Sequence, residues 1–159
     1  MPKPRSEMYA PASPFSRPIP AGARLSGVYR QVGIETSVSG ATPYDLVKLL
    51  LNGYFDALVE AKSAMASGDI ALKGRALGRA TRIVEEGLKA SLDTSMGGEV
   101  AQNLHMLYGY ISVRLTHANL KNDAAAIDEC VQLMTPIREA WQGIASQAST
   151  APIHKEVVA

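Results

Sequence analysis

The sequence predicts an all-α fold, an antiparallel up-down-up-down four-helix bundle with a flexible N-terminal arm and cap segment. Two observations carry this. Helix start and stop signals divide the chain evenly after residue 41, and the apolar residues between them recur at helical spacing rather than in strand alternation. Each segment is about 22 to 24 residues, or about 35 Å at 1.5 Å rise per residue. Rods of equal length joined by short loops fold most simply as sequential antiparallel neighbours.

Residues 1–26 hold six of the nine prolines, interspersed with Ser, Ala and Gly, and read as a disordered arm. Residues 27–41 carry Val28, Val32, Ile34 and Val38 as an apolar side on a short, Gly-punctuated stretch that is a poor helix. The bundle spans residues 42–146. Thr42 caps its first helix, with Pro43 at the first helical position and Asp45 in the first turn. That helix should run to about Ala66 and stop at Ser67-Gly68. Asp69 opens the second, to about Leu92, and the loop DTSMGG leads to the third, from about Gly98 to Leu120. Asn122 or Asp123 starts the fourth, which should end near Ile144. Residues 147–159 read as a flexible tail.

In the second helix Ile70, Leu77, Ala80, Val84 and Leu88 face one way, while Arg75, Arg79, Arg82, Glu86 and Lys89 form the solvated side. Glu85 precedes Lys89 by four residues, the favourable orientation for a helical ion pair. The fourth helix has a narrow seam of Ile127, Val131, Met134, Ile137, Trp141 and Ile144, in which Trp141 should be largely buried. Pro136 removes one backbone hydrogen bond and should kink it. The first helix, with LVKLLLNGYFDALVEA, is apolar on nearly every side, more than one bundle should be able to hide.

With 16 basic residues against 15 acidic ones, the chain has no field to draw nucleic acid or an anionic membrane. No apolar run approaches the roughly 20 residues of a membrane span, so no membrane insertion is expected. A lone cysteine, Cys130, implies no oxidising compartment, and its neighbours Asp128 and Glu129 disfavour a thiolate nucleophile. The N-terminus is basic but lacks the apolar centre of an export signal, which leaves the cytoplasm as the expected location.

Chemistry is thinly supplied. The three histidines, His105, His117 and His154, make no metal motif, and no phosphate loop or dinucleotide fingerprint occurs. Gly74, Gly78 and Gly87 lie within a helix, where close packing explains them better than phosphate binding. No cofactor, metal or catalytic residue is therefore assigned. One alternative is a histidine phosphotransfer protein acting through His105, since His105-x-Leu107-x-Gly109 is similar to the motif of that domain. Tyr108 stands where a basic residue would neutralise the phosphoryl charge.

The third helix has two apolar strips. Val100, Leu104, Leu107, Ile111, Leu115 and Ala118 share the face expected to enter the core, and Met106, Tyr110 and Val113 form another on a different side. Surplus apolar surface on a bundle marks a partner site, suited to amphipathic or disordered segments.

Three blocks of residues then resemble the flagellar secretion chaperone family FliS, over about residues 27–144. They are Tyr29-Arg-Gln-Val-Gly-Ile-Glu-Thr36, Ala41-Thr-Pro-Tyr-Asp-Leu-Val-Lys-Leu-Leu50, and the long block from Gly97 to Asn119. The last follows the family pattern through Gly97, Gly98, Glu99, Asn103, Leu104, Leu107, Tyr108, Tyr110, Arg114, Leu115, Ala118 and Asn119. Tyr44 stands where His is common in the family, and Asn52 where Asp is common.

The resemblance implies a cytoplasmic export chaperone, not an enzyme. It implies binding of the disordered C-terminal region of flagellin, so that flagellin does not polymerise prematurely. It also implies delivery of the loaded complex to a membrane protein of the flagellar type III export gate, without ATP. Residues 27–41 become a cap over the apolar groove of the free chaperone. The expected partner-binding residues are Tyr29, Val32 and Ile34 in the cap, Leu46, Leu49, Leu50 and Tyr54 in the first helix, and Asn103, Met106, Leu107, Tyr110, Val113 and Arg114 in the third. A homodimer is compatible with the same surplus.

Overall fold

A computed structural model describes residues 42–150, which form four helices and, among the described residues, no strand. They are α1 (Pro43–Ser67), α2 (Ile70–Arg82, continued by a π-helical stretch Ile83–Lys89), α3 (Gly98–Lys121) and α4 (Ala124–Thr150). Each helix packs on its neighbours in the chain, and α4 closes the ring on α1, as an up-and-down bundle requires. The arm and cap segment, residues 1–41, lie outside the described residues.

The termini form where the sequence signals them. Thr42 and Asp45 make a reciprocal capping box, Pro43 opens α1, and Gly68 ends it at φ +73°, where a side chain would be strained. Asp69 caps α2 through the Leu72 amide at 3.0 Å. Asn122 closes α3 in the left-handed conformation (φ 52°), and the Asp123 carboxylate accepts from the Ala126 amide at the start of α4. At that end the buried Lys73 ammonium donates to the Asn119 carbonyl at 3.1 Å and the Asn122 side chain at 3.2 Å, placing a cation at the C-terminus of α3.

The core is built from Leu50, Leu51, Tyr54 and Leu58 of α1, Leu77, Ile83 and Val84 of α2, Ile111 and Leu115 of α3, and Ile127, Cys130 and Met134 of α4. The buried Tyr54 hydroxyl donates to the Cys130 carbonyl at 3.0 Å, so its polar atom is satisfied where water cannot reach. The ion pairs Arg79–Glu60 (2.7 Å) and Lys62–Asp128 (2.6 Å) tie α1 to α2 and to α4.

Several expectations are corrected. The apolar excess of α1 is almost entirely absorbed. Leu46, Leu50, Leu51, Tyr54, Phe55, Ala57 and Leu58 are buried and Val47 and Leu49 half-buried, because α1 lies between α2 and α4 and is covered on both flanks. Only Val59 stays exposed among its large apolar residues. The core face of α3 is turned by about half a residue step. Ala101, Tyr108 and Ser112 take the place expected for Val100, which is exposed, and Leu104 and Leu107 are only half-buried. Ile70 and Ile144 are also exposed, since each lies near a helix end beyond its neighbours' cover. Trp141 is half-buried, stacked obliquely on Tyr44, whose hydroxyl donates to the Trp141 carbonyl. Finally, α4 continues through Pro136 and past residue 146 to Thr150, so the helix enters the stretch expected as tail.

The end of α2 departs most from regular geometry. Its last turns widen to π-helix at Ile83–Lys89, which presents Ile83, Val84, Gly87 and Leu88 together to the core. Gly87 is needed there, because a β-carbon on it would lie 2.9 Å from Leu50 Cδ1. Gly74 and Gly78 have open space instead, so close packing explains only one of the three helical glycines.

Candidate functional site

Along α3, Met106, Tyr110, Val113, His117 and Leu120 follow one another at alternating steps of four and three residues. At about 100° per residue they lie on the side of the helix opposite the buried Ala101, Tyr108, Ile111, Ser112, Leu115 and Ala118. Met106 is 70%, Tyr110 47%, Val113 67% and Leu120 76% exposed. The seam spacing is that of helices that pack lengthwise on another helix, yet no described element covers it. Elsewhere α1, α2 and α4 each expose a single large apolar residue, Val59, Ile70 and Ile144. The second strip is therefore a surface feature of α3 and not part of the core.

Polar contacts border it on both sides. Toward α4, Glu129 accepts from the Tyr110 hydroxyl and from Arg114 Nε at 2.8 Å. Its carboxyl is held below the usual range by the phenol and then by the guanidinium, and the same bond raises the Tyr110 phenol. These bonds pin the Tyr110 ring in one orientation along the strip. Toward α2, Glu85 and Lys89 pair at 3.2 Å, and Glu85 is held below its ordinary value by the neighbouring Ser112 hydroxyl first and then by Lys89. On this α2 side of the strip a groove of about 510 Å³ is lined by Glu85, Lys89, Gly109, Val113, His117 and Leu120, with Ser112 and Thr116. His117 Nε2 approaches Asp123 at 3.4 Å.

The expected site residues divide accordingly. Asn103, Met106, Tyr110 and Val113 are exposed, while Leu49, Leu107 and Arg114 are half-buried shoulders. Leu46, Leu50 and Tyr54 are core residues and offer no contact surface in this arrangement. Tyr29, Val32 and Ile34 lie outside the described residues. His117 and Leu120 were not expected as part of the strip, although continuing the spacing from Met106 by further steps of four and three reaches both. His105 is exposed on the α2 side of α3, close enough to Glu85 to favour its charged form. Cys130 is buried, which pushes its thiol up to about 12 and makes it unreactive. Among the described residues no cluster of His, Cys, Asp and Glu could hold a metal ion, and no helix is long and apolar enough to cross a membrane.

The model of the family described as flagellar protein FliS matches residues 26–148, which takes in α1, α2, α3 and nearly all of α4. The chain belongs to the FliS family. It is 46% identical over 121 residues to the flagellar secretion chaperone FliS of Salmonella typhimurium, covering 76% of this chain and 90% of that protein. With the flagellar secretion chaperone FliSB of Pseudomonas aeruginosa it shares 41% identity over 116 residues, 73% of this chain and 91% of the relative. The FliS of Bacillus subtilis, more distant, is 32% identical over 108 residues, 68% of this chain and 79% of that protein. FliS proteins are chaperones and not enzymes, so this chain has a chaperone role in flagellar export, and the phosphotransfer alternative at His105 falls away.

Proposed function

We propose that this FliS-family chain binds the C-terminal region of flagellin in the cytoplasm, keeps it from polymerising before export, and presents it to the membrane protein of the export gate. The observation that carries this reading is the exposed seam Met106–Tyr110–Val113–His117–Leu120 on the face of α3 opposite the core. An apolar strip at seam spacing is what an amphipathic client helix needs, and a protein that only had to fold would gain nothing from it. Asn103, Leu107 and Arg114 border the strip, and Leu49 is a second apolar shoulder on α1. Tyr29, Val32 and Ile34 belong to the segment that covers apolar surface until the client arrives.

Folding of a disordered client on this surface would bury roughly 1,000–3,000 Å² and cost about 2–5 kcal/mol of ordering, which apolar contact must exceed without any nucleotide. The test is titration of the full chain with a peptide of the flagellin C-terminal region, followed by circular dichroism and calorimetry. Binding with a gain of helicity is expected. Absence of binding to that peptide, together with normal binding to the flagellin N-terminal region, would overturn the proposal. Sedimentation of the free chain checks whether a homodimer occupies the strip instead.

A further inference from the structure

Tyr110 is the largest side chain of the α3 strip, and a neighbouring helix decides where its ring lies. Its phenol donates to Oε1 of Glu129 on α4. Arg114, one turn further along α3, donates from Nε to Oε2 of the same carboxylate at 2.8 Å. Each carboxylate oxygen thus has its own donor, and the group cannot rotate without losing one of them. The bond lowers the Glu129 carboxyl and raises the Tyr110 phenol, so each keeps the other in its bonding form at neutral pH.

The apolar residues beside Tyr110 are constrained in other ways. Val113 is β-branched and has one preferred rotamer in a helix. Met106 is unbranched and adapts its shape to whatever it meets. A tyrosine left free on a helix has two accessible χ1 positions, both laying the ring back over the preceding turn. At about 100° per residue, Leu107 and Arg114 lie on the α4 side of Tyr110, whereas Met106 and Val113 lie on the α2 side. One χ1 position therefore carries the ring toward α4, and the other carries it toward α2. The bond to Glu129 selects the first. In that position Tyr110 takes no part in lining the groove of about 510 Å³ on the α2 side, which passes from Gly109 to Val113 without it.

We propose that Glu129 is a positioning residue of the client site: with its carboxylate fixed by Arg114, it holds the Tyr110 ring toward α4, so that the strip is preformed and the groove beside it stays open. This rests on the assignment of the strip as the client site and adds the residue that sets its shape. A client then meets a ring already in place instead of ordering it on contact. Ordering one side chain at an interface lowers affinity by roughly 2- to 12-fold. Glu129 acts through Tyr110 and need not touch the client.

The test titrates the flagellin C-terminal peptide into the full chain as wild type, Tyr110→Phe, Glu129→Gln, Glu129→Ala and the Tyr110→Phe/Glu129→Ala double variant. Tyr110→Phe makes the strip more apolar but removes the bond, and should weaken binding by about 2- to 12-fold. Glu129→Ala should lose as much, and the double variant no more than either, because both remove one shared restraint. Glu129→Gln keeps an oxygen that accepts from the phenol and should restore most of the affinity. Side-chain coupling constants from NMR should report one χ1 position for Tyr110 in wild type and Glu129→Gln, and an average of two in Glu129→Ala. Urea midpoints of all five forms should lie close together, since the bonds are at the surface, which separates loss of binding from loss of fold. Tyr110→Phe binding as tightly as wild type, losses that add in the double variant, or a Tyr110 χ1 unchanged by Glu129→Ala overturns the positioning role and leaves the strip as the site. Binding unaffected by Tyr110→Ala overturns the strip itself, and the role of Glu129 with it.

Discussion

Ile111 and Val113 are two residues apart on α3 and should respond in opposite ways to truncation. Ile111 is fully buried among the core side chains, and Ile111→Ala leaves a cavity that the ring of helices cannot close. The expected cost is about 2–5 kcal/mol. Against a total stability of about 5–15 kcal/mol for such a domain, that is a large share. Val113 points outward from the strip, and Val113→Ala removes two methyl groups that already face water. Its effect on folding should stay within about 0.5 kcal/mol. In urea, with a slope of about 1–3 kcal/mol per molar, the first variant should lower the midpoint by about 1–2 M, and the second should leave it almost in place. Binding should sort the other way. Val113→Ala combined with Tyr110→Ala should weaken the flagellin C-terminal peptide at least about 30-fold, the loss expected of a buried interface aromatic. Ile111→Ala should bind normally in its folded fraction. Equal destabilisation by Val113→Ala and Ile111→Ala, with binding intact in both folded fractions, would show that the strip is covered in the free protein and is not a client site.

Two further measurements probe the core. Gly78→Ala, in open space within α2, should stabilise by about 0.5–1 kcal/mol, whereas Gly87→Ala should destabilise because its new methyl collides with Leu50, and urea midpoints of the two variants decide this. In alkali, burial pushes the thiol of Cys130 and the phenol of Tyr108 up to about 12, and raises Tyr54 beyond them. The unfolded chain therefore loses these protons first. Stability should be unaffected below about pH 8.5, then fall steadily as pH rises toward 12. Thermal melts across that range that show no decline would refute the burial of these groups.

The fold was legible because its signals are local. Thr42, Pro43, Gly68, Asp69 and Asn122 each act through backbone geometry within one turn, so the helix ends followed from single residues. What depends on neighbours was less legible. Leu46, Leu50 and Tyr54 looked like surplus because periodicity counts apolar sides of one helix and cannot count how many flanks other helices cover. The half-step turn of α3 and the π-helical end of α2 depend on how neighbouring helices pack, and the close approach of Gly87 to Leu50 joins residues distant in sequence whose contact no spacing reveals. Of the site, Met106, Tyr110 and Val113 could be read as a second strip. The polar bracket around Tyr110 could not, because Glu129 is contributed by another helix.

The ring order of the helices has a consequence in time. Three of its four seams join helices adjacent in the chain, and only the closure of α4 on α1 brings distant segments together. Helical proteins with mostly local contacts fold in microseconds to milliseconds. Synthesis of 159 residues at about 5–20 per second takes roughly 8–32 s. Each helix can therefore dock on its predecessor almost as soon as it leaves the ribosome, and the ring closes once α4 emerges. The bundle can therefore be closed within a moment of α4 leaving the ribosome, because no slower long-range pairing remains among the described helices.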